Sequence, residues 1–215
     1  MSQKEIEKLI HIPVNSIKLE GMLQIPEDAA GIILFAHGSG SSRLSPRNNF
    51  VAKVLHRHKF ATLLIDLLTE EEDELRENRF DIELLTERLA EAAKWLASEP
   101  QTQNLPLGIF GASTGAASAL YLASRLGKKV FAVVSRGGRP DMAEHVLPKV
   151  VSPVLLIVGG NDDVVIELNQ LAYLKLKSEK KLQIIPGATH LFEEPGALET
   201  VANLAAEWFQ KHLPR

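Results

Sequence analysis

Ser113 stands in Gly111-Ala112-Ser113-Thr114-Gly115, a G-x-S-x-G pentapeptide between the apolar run Leu105 to Phe110 and the small-residue stretch Ala116 to Ala123. The run reads as a short buried strand and the stretch as a helix packed closely on a sheet. On such a strand-to-helix turn a serine points its hydroxyl out above the helix N-terminus, and the flanking glycines remove Cβ atoms that would strike neighbouring backbone. There the positive end of the helix dipole and its unpaired N–H groups can take up charge developing on an oxygen. The pentapeptide alone is a weak signal; the strand before it and the helix after it make Ser113 a candidate nucleophile.

A serine hydroxyl is a poor nucleophile near neutral pH, so it needs a base within hydrogen-bond reach and a carboxylate to orient that base. His190, in Pro186-Gly187-Ala188-Thr189-His190, follows the last predicted strand, and Asp162, in Gly159-Gly160-Asn161-Asp162-Asp163, follows the strand before it. Ser113, Asp162 and His190 thus occur in the chain order of α/β-hydrolases, each after a strand, at the sheet edge where ligands bind in open α/β sheets. Asp163 competes with Asp162. Asp162 is preferred as the acid because it lies three residues after Gly159, which leaves Asp163 to cap the helix that begins near Val164.

His37-Gly38-Ser39-Gly40 follows the first fully apolar run and reads as the second half of an oxyanion hole, in which the N–H of Ser39 (or Gly40) joins that of Thr114 on a carbonyl oxygen. His37 itself is expected to hold that loop by hydrogen bonding. His37, Gly38, Gly40, Arg43 and Arg136 are candidate substrate contacts; Arg47 and Arg139 crowd the same edge. A guanidinium fork suits carboxylate or phosphate, while pairing with Asp66, Asp141 or the acidic run is the structural alternative. His56 and His58 lie two apart on a predicted helix and share no face, so no metal site is expected there. His11, His145 and His212 read as surface residues. Asp66 could serve a nucleotide's ribose, but no G-x-G-x-x-G and no glycine-lysine-serine loop accompanies it.

These residues need a scaffold, and 215 residues allow one sizeable core, so residues 1–215 are expected to form one domain. A formal net charge of -3 gives no reason to expect nucleic acid. The absence of cysteine excludes disulfides and thiolate sites and favours a reducing compartment. Met1 to Lys8 lacks a signal-peptide apolar core, and no apolar run approaches the ~20 residues of a membrane span. A cytoplasmic protein without membrane partner, metal or cofactor is expected.

Ile17 to Ile25 alternates around Gly21 and reads as an antiparallel pair ended by Pro26-Glu27-Asp28. Gly31 to Ala36 is a continuous apolar run, as in strands buried on both faces. A helix over 48–58, a strand over 61–65, a long amphipathic helix over 81–98, and then the elbow strand and its helix follow. Strands over 130–135, 154–158 and 182–185 and helices over 164–176 and 197–212 complete the pattern. Alternation of this kind predicts an α/β fold: a doubly wound, mostly parallel sheet of about seven to eight strands with helices on both faces and no cap domain. The run Glu70 to Glu74 reads as a solvated loop, with a flap at the site entrance as the alternative.

Three segments, Phe35 to Arg43, Phe110 to Ala116 and Gly187 to Gly196, resemble the dienelactone-hydrolase-like branch of the α/β-hydrolase superfamily, over nearly the whole chain from about Ile12. The chain is most similar to small serine members, some of which occur fused to a phosphoribosyltransferase domain that is not expected within these residues. The resemblance implies Ser113 as nucleophile, Asp162 as orienting acid and His190 as base. Dienelactone hydrolases proper carry a cysteine and two glycines in the elbow; here Ser113 replaces the cysteine and Ala116 the second glycine, so an ester, thioester or lactone other than dienelactone is the expected small-molecule partner. A catalytically silent binding protein of this fold, and an acyltransferase or perhydrolase using the same triad, are the alternatives.

Overall fold

The structure, a computed structural model, describes residues 5–214. Eight strands form one sheet in the order β1-β2-β4-β3-β5-β6-β7-β8. β1 (Ile6–Val14) and β2 (Ile17–Ile25) form an antiparallel hairpin, paired from Ile6 with Ile25 to Val14 with Ile17. β2 meets β4 (Phe60–Ile65) antiparallel, and every later pairing is parallel. The fold is that of the α/β-hydrolases.

The hairpin corrects the sequence reading, which placed two strands within 17–25. Gly21 does not turn the chain. A Cβ there would lie 2.9 Å from Leu63 Cδ1 and 3.2 Å from Ile10 Cγ1, so the glycine marks close packing inside one strand. Its partner β1 buries Ile10, Ile12 and Val14 on alternate positions while His11 and Pro13 face solvent.

β3 (Gly31–Ala36), β4, β6 (Val130–Arg136) and β7 (Val154–Gly159) are buried along their whole length, which is why they read as unbroken apolar runs. β5 (Leu107–Ala112) lies between β3 and β6, and β8 (Lys180–Ile185) forms the far edge. α1 (Pro46–Arg57) and α6 (Ala197–His212) pack together on one face around Phe35, Phe110, Phe131 and Phe209. α3 (Ile82–Ser98), α4 (Thr114–Leu126) and α5 (Asp163–Lys175) cover the other. Caps set two starts: Ser45 Oγ accepts the Asn48 N–H before α1, and Asp81 Oδ1 accepts the Leu84 N–H before α3.

The acidic run is not a loop. Glu70–Glu74 forms a short helix, α2, because Thr69 and Glu72 make a reciprocal capping box and four acidic side chains favour the positive helix end. Asp73 and Glu72 then hold Arg79 and Arg88. His212 is not a surface residue either: its side chain is 10% exposed and its ring lies 4.4 Å from that of Trp208. Among the described residues no helix is long and apolar enough to cross a membrane.

The strand order positions the site. From β3 the chain passes to β4 on one side, then crosses back through α3 to β5 on the other. The carboxyl ends of β3 and β5 therefore diverge into a crevice at the switch point, where ligands bind in open α/β sheets.

Candidate active site

Ser113 lies between β5 and α4 at φ +51°, ψ −122°, a left-handed conformation rare for a residue with a side chain. Three hydrogen bonds hold the strain: Ser113 N–H donates to Arg136 O at 3.1 Å, and its carbonyl accepts from the N–H groups of Ala116 and Arg139, each at 3.1 Å. Only glycine fits beside it. A Cβ on Gly115 would lie 2.2 Å from Ala36 O, and one on Gly111 2.5 Å from Ala116 Cα, so the elbow requires both glycines of the motif.

The loop after β3 closes over this turn. A Cβ on Gly38 would stand 2.9 Å from Ser113 Cβ and 3.7 Å from its Oγ, so the loop's backbone touches the serine. Thr114 opens α4, where a first-turn N–H has no intrahelical acceptor, and among the described residues no acceptor takes up the N–H of Thr114 or of Ser39. His37 is a strut for this loop. Its Nδ1 is 2.9 Å from Gly38 O and its Nε2 accepts the Leu67 N–H at 3.0 Å, which fixes a neutral ring protonated at Nδ1. Burial pushes its pKa below the usual histidine value, against the opposing pull of the Gly38 carbonyl, Asp66 and Asp73.

His190 follows β8 and Asp162 follows β7, and His190 Nδ1 donates to Asp162 Oδ2 at 2.6 Å. Asp162 is the carboxylate that meets the ring. Asp163 is the first residue of α5 and makes no side-chain cap, contrary to the capping role expected of it. The imidazole lies over the residue after β6: a Cβ on Gly137 would be 3.4 Å from His190 Cε1. Gly137 adjoins Arg136, whose carbonyl accepts the Ser113 N–H, so the imidazole and the serine backbone both border the residues that follow β6.

The arginines divide. Arg43 is committed to Asp66 and Glu20, with its own backbone N–H on Asp66 Oδ1 at 2.5 Å. Arg139 grips Asp141 through two bonds of 2.9 and 2.8 Å. Arg136 is buried and has no such partner. Sequence reasoning missed Arg79, which lines a recess of about 10 Å³ with His37, Gly38, Ser39, Gly40 and Leu68, its fork fixed by Asp73 at 2.9 and 2.7 Å. Its place five residues beyond α2 was the available signal. A larger cavity of about 380 Å³ opens at the opposite edge, where Ile32 and Leu107 begin their strands, remote from the serine.

A model of the dienelactone hydrolase family matches residues 20–213. The chain belongs to that family. A dienelactone hydrolase from Anabaena variabilis is 55% identical, with a TM-score of 0.95 over 99% of this chain and 100% of that one. Est1E from Butyrivibrio proteoclasticus shares the fold at 16% identity, with a TM-score of 0.83 over 96% of this chain and 99% of its own. Two Mycobacterium tuberculosis proteins, each described as a putative phosphoribosyl transferase, are 55% identical over 204 residues, 95% of this chain. This member of the dienelactone hydrolase family spans about half the length of those curated relatives, 46% of each.

Proposed function

We propose that this protein is a hydrolase that cleaves a small ester, thioester or lactone through an acyl-enzyme on Ser113. The observation that carries the reading is the 2.6 Å bond from His190 Nδ1 to Asp162, beside a serine held at positive φ. With its Nδ1–H donated to the Asp162 carboxylate, the imidazole keeps Nε2 free as the base. Ser113 Oγ attacks the carbonyl carbon as its proton passes to His190 Nε2, and the N–H groups of Thr114 and Ser39 stabilise the resulting oxyanion. The leaving oxygen or sulfur takes the proton from His190. Water, deprotonated by the same nitrogen, then attacks the acyl carbon and Ser113 regains its hydrogen as the acid departs.

The recess beside the loop after β3 has room for about one water-sized group, so nearly all of any acyl portion would lie across the open edge. Serine in place of cysteine, and Ala116 in place of glycine, favour a substrate other than dienelactone. The transferase name belongs to proteins of about twice this length, and the glycine spacing here offers no phosphate loop of the G-x-G-x-x-G or glycine-lysine-serine kind. The mechanism uses no metal or cofactor, and the chain is taken as one domain working in the cytoplasm. Hydrolysis of p-nitrophenyl acetate tests the reading: Ser113→Ala should lower kcat by roughly 10⁴ to 10⁶-fold, and full turnover by the variant would contradict it.

A further inference from the structure

Six arginines of the described chain, Arg43, Arg47, Arg79, Arg88, Arg125 and Arg139, each hold a carboxylate. Arg136, 7% exposed and the only buried one among the described residues, holds none. Its Nε is buried without a partner, its Nη2 reaches only Asn48 Oδ1 at 3.3 Å, and its guanidinium lies 5.9 Å from the Phe192 ring. The charge that acts on it is a like one: burial first, then Arg47, push its pKa down to about 10. Arg47 also has a buried, unpartnered Nε, and its bond to Glu193 is 3.1 Å long, to a carboxylate 63% exposed. Arg47 lies in the first turn of α1, which contains no acid, and Arg136, from the end of β6, reaches Asn48 of the same turn. Two guanidiniums and the positive end of a twelve-residue helix thus converge on one spot, an arrangement that costs free energy until an anion enters.

We propose that Arg136 and Arg47 form a binding site for an oxyanion, a phosphate or carboxylate group, beside the loop that carries His190. The bound group offers acceptors to the free Nε–H groups and neutralises the repulsion between the two forks. It also reaches the catalytic turn: Arg136 O holds Ser113 N–H at 3.1 Å, and Phe192, at φ +57° under the guanidinium, lies two residues past His190. The anion has two possible sources, an acidic group on the substrate or a free anion, and the chemistry of recognition is the same for both.

Inorganic phosphate, compared with sodium chloride at matched ionic strength, tests the site without any substrate. Calorimetry should give a saturable heat, and Tm should rise by about 3–6 °C at phosphate tenfold above its dissociation constant. Arg47→Gln, at a half-exposed side chain, should weaken binding at least about tenfold, and Arg136→Gln should remove it. Wild-type protein that responds to phosphate no more than to chloride overturns the site, whatever the variants do. A kinetic arm, which rests on the serine-hydrolase reading, separates the sources. If the anion is the substrate's own, Arg47→Gln raises KM for a p-nitrophenyl hemisuccinate at least about tenfold more than for p-nitrophenyl butyrate. If it is free, phosphate changes kcat for both esters by the same factor. Phosphate binding is read without turnover, so the site can fail while the hydrolase reading stands, and the reverse.

Discussion

Asp162 Oδ2 lies 2.6 Å from Nδ1 of His190, 28 residues further along the chain. Neighbouring parallel strands bring them together, since β7 and β8 pair in register from Val154 with Lys180 to Gly159 with Ile185. In the proposed mechanism the carboxylate fixes the tautomer and stabilises the imidazolium that would form during turnover. Asp162→Asn should therefore lower kcat for p-nitrophenyl acetate by about 10⁴-fold, while Asp163→Asn, one residue on, should stay within severalfold of wild type. Equal losses from the two substitutions would assign the acid wrongly.

Gly115 leaves no room for a methyl group. Gly115→Ala drives a Cβ to within 2.2 Å of Ala36 O and 2.4 Å of His37 O, both backbone atoms that cannot swing aside. Overpacking of this kind costs about 1–3 kcal/mol or more, and Tm should fall by roughly 2–12 °C. An unchanged melting temperature with full esterase activity would mean that β3 and the elbow do not approach so closely.

The neutral state of His37 makes stability fall with acid. Burial lowers its folded pKa below 6.5, so as pH drops through that value the unfolded chain binds a proton that the folded chain does not. Its contribution is present above 6.5 and is lost as pH falls towards the folded pKa. His56, also lowered by burial and 2.7 Å from Thr62 Oγ1, adds in the same direction. Tm should drop between pH 7.5 and 5.5, and His37→Gln should show a smaller drop over that interval despite a lower starting value. A variant with the wild-type pH slope would place the titration elsewhere.

Arg43 anchors the loop after β3 to the end of β4 through Asp66, with both side chains under a fifth exposed. Asp66→Asn removes the charge that two donors of Arg43 share, a loss of about 1.5–3 kcal/mol for hydrogen bonds to a charged group. The urea midpoint should fall accordingly, and kcat should fall with it because Gly38 and Ser39 lose their tether. A stable variant of normal activity would leave the pair without consequence.

Much of this was legible in the chain itself. That Ser113 and Asp162 each follow a strand was legible because β5 and β7 are buried almost throughout, and such a run has no competing helical or alternating pattern; the half-exposed edge strand before His190 was marked instead by Pro186-Gly187 at its end. β1 escaped because charged residues at its start hid the alternation of Ile10, Ile12 and Val14, and Gly21 mimicked a turn. α2 was misread although Thr69 and Glu72 carry the T-x-x-E spacing of a capping box, since the acidic run itself argued for solvent. The isolation of Arg136 could not be read at all: whether an arginine at a strand end finds a carboxylate depends on α1 and the loop after His190, which approach it from distant parts of the chain.

Covalent labelling with a fluorophosphonate followed by peptide mass spectrometry tests the central claim most directly, because it reads the nucleophile without knowledge of the substrate. The folded protein should take up one adduct on Ser113, Ser113→Ala should take up none, and Asp162→Asn should react far more slowly. No adduct on folded wild-type protein, or an adduct on another residue that survives Ser113→Ala, would contradict the account.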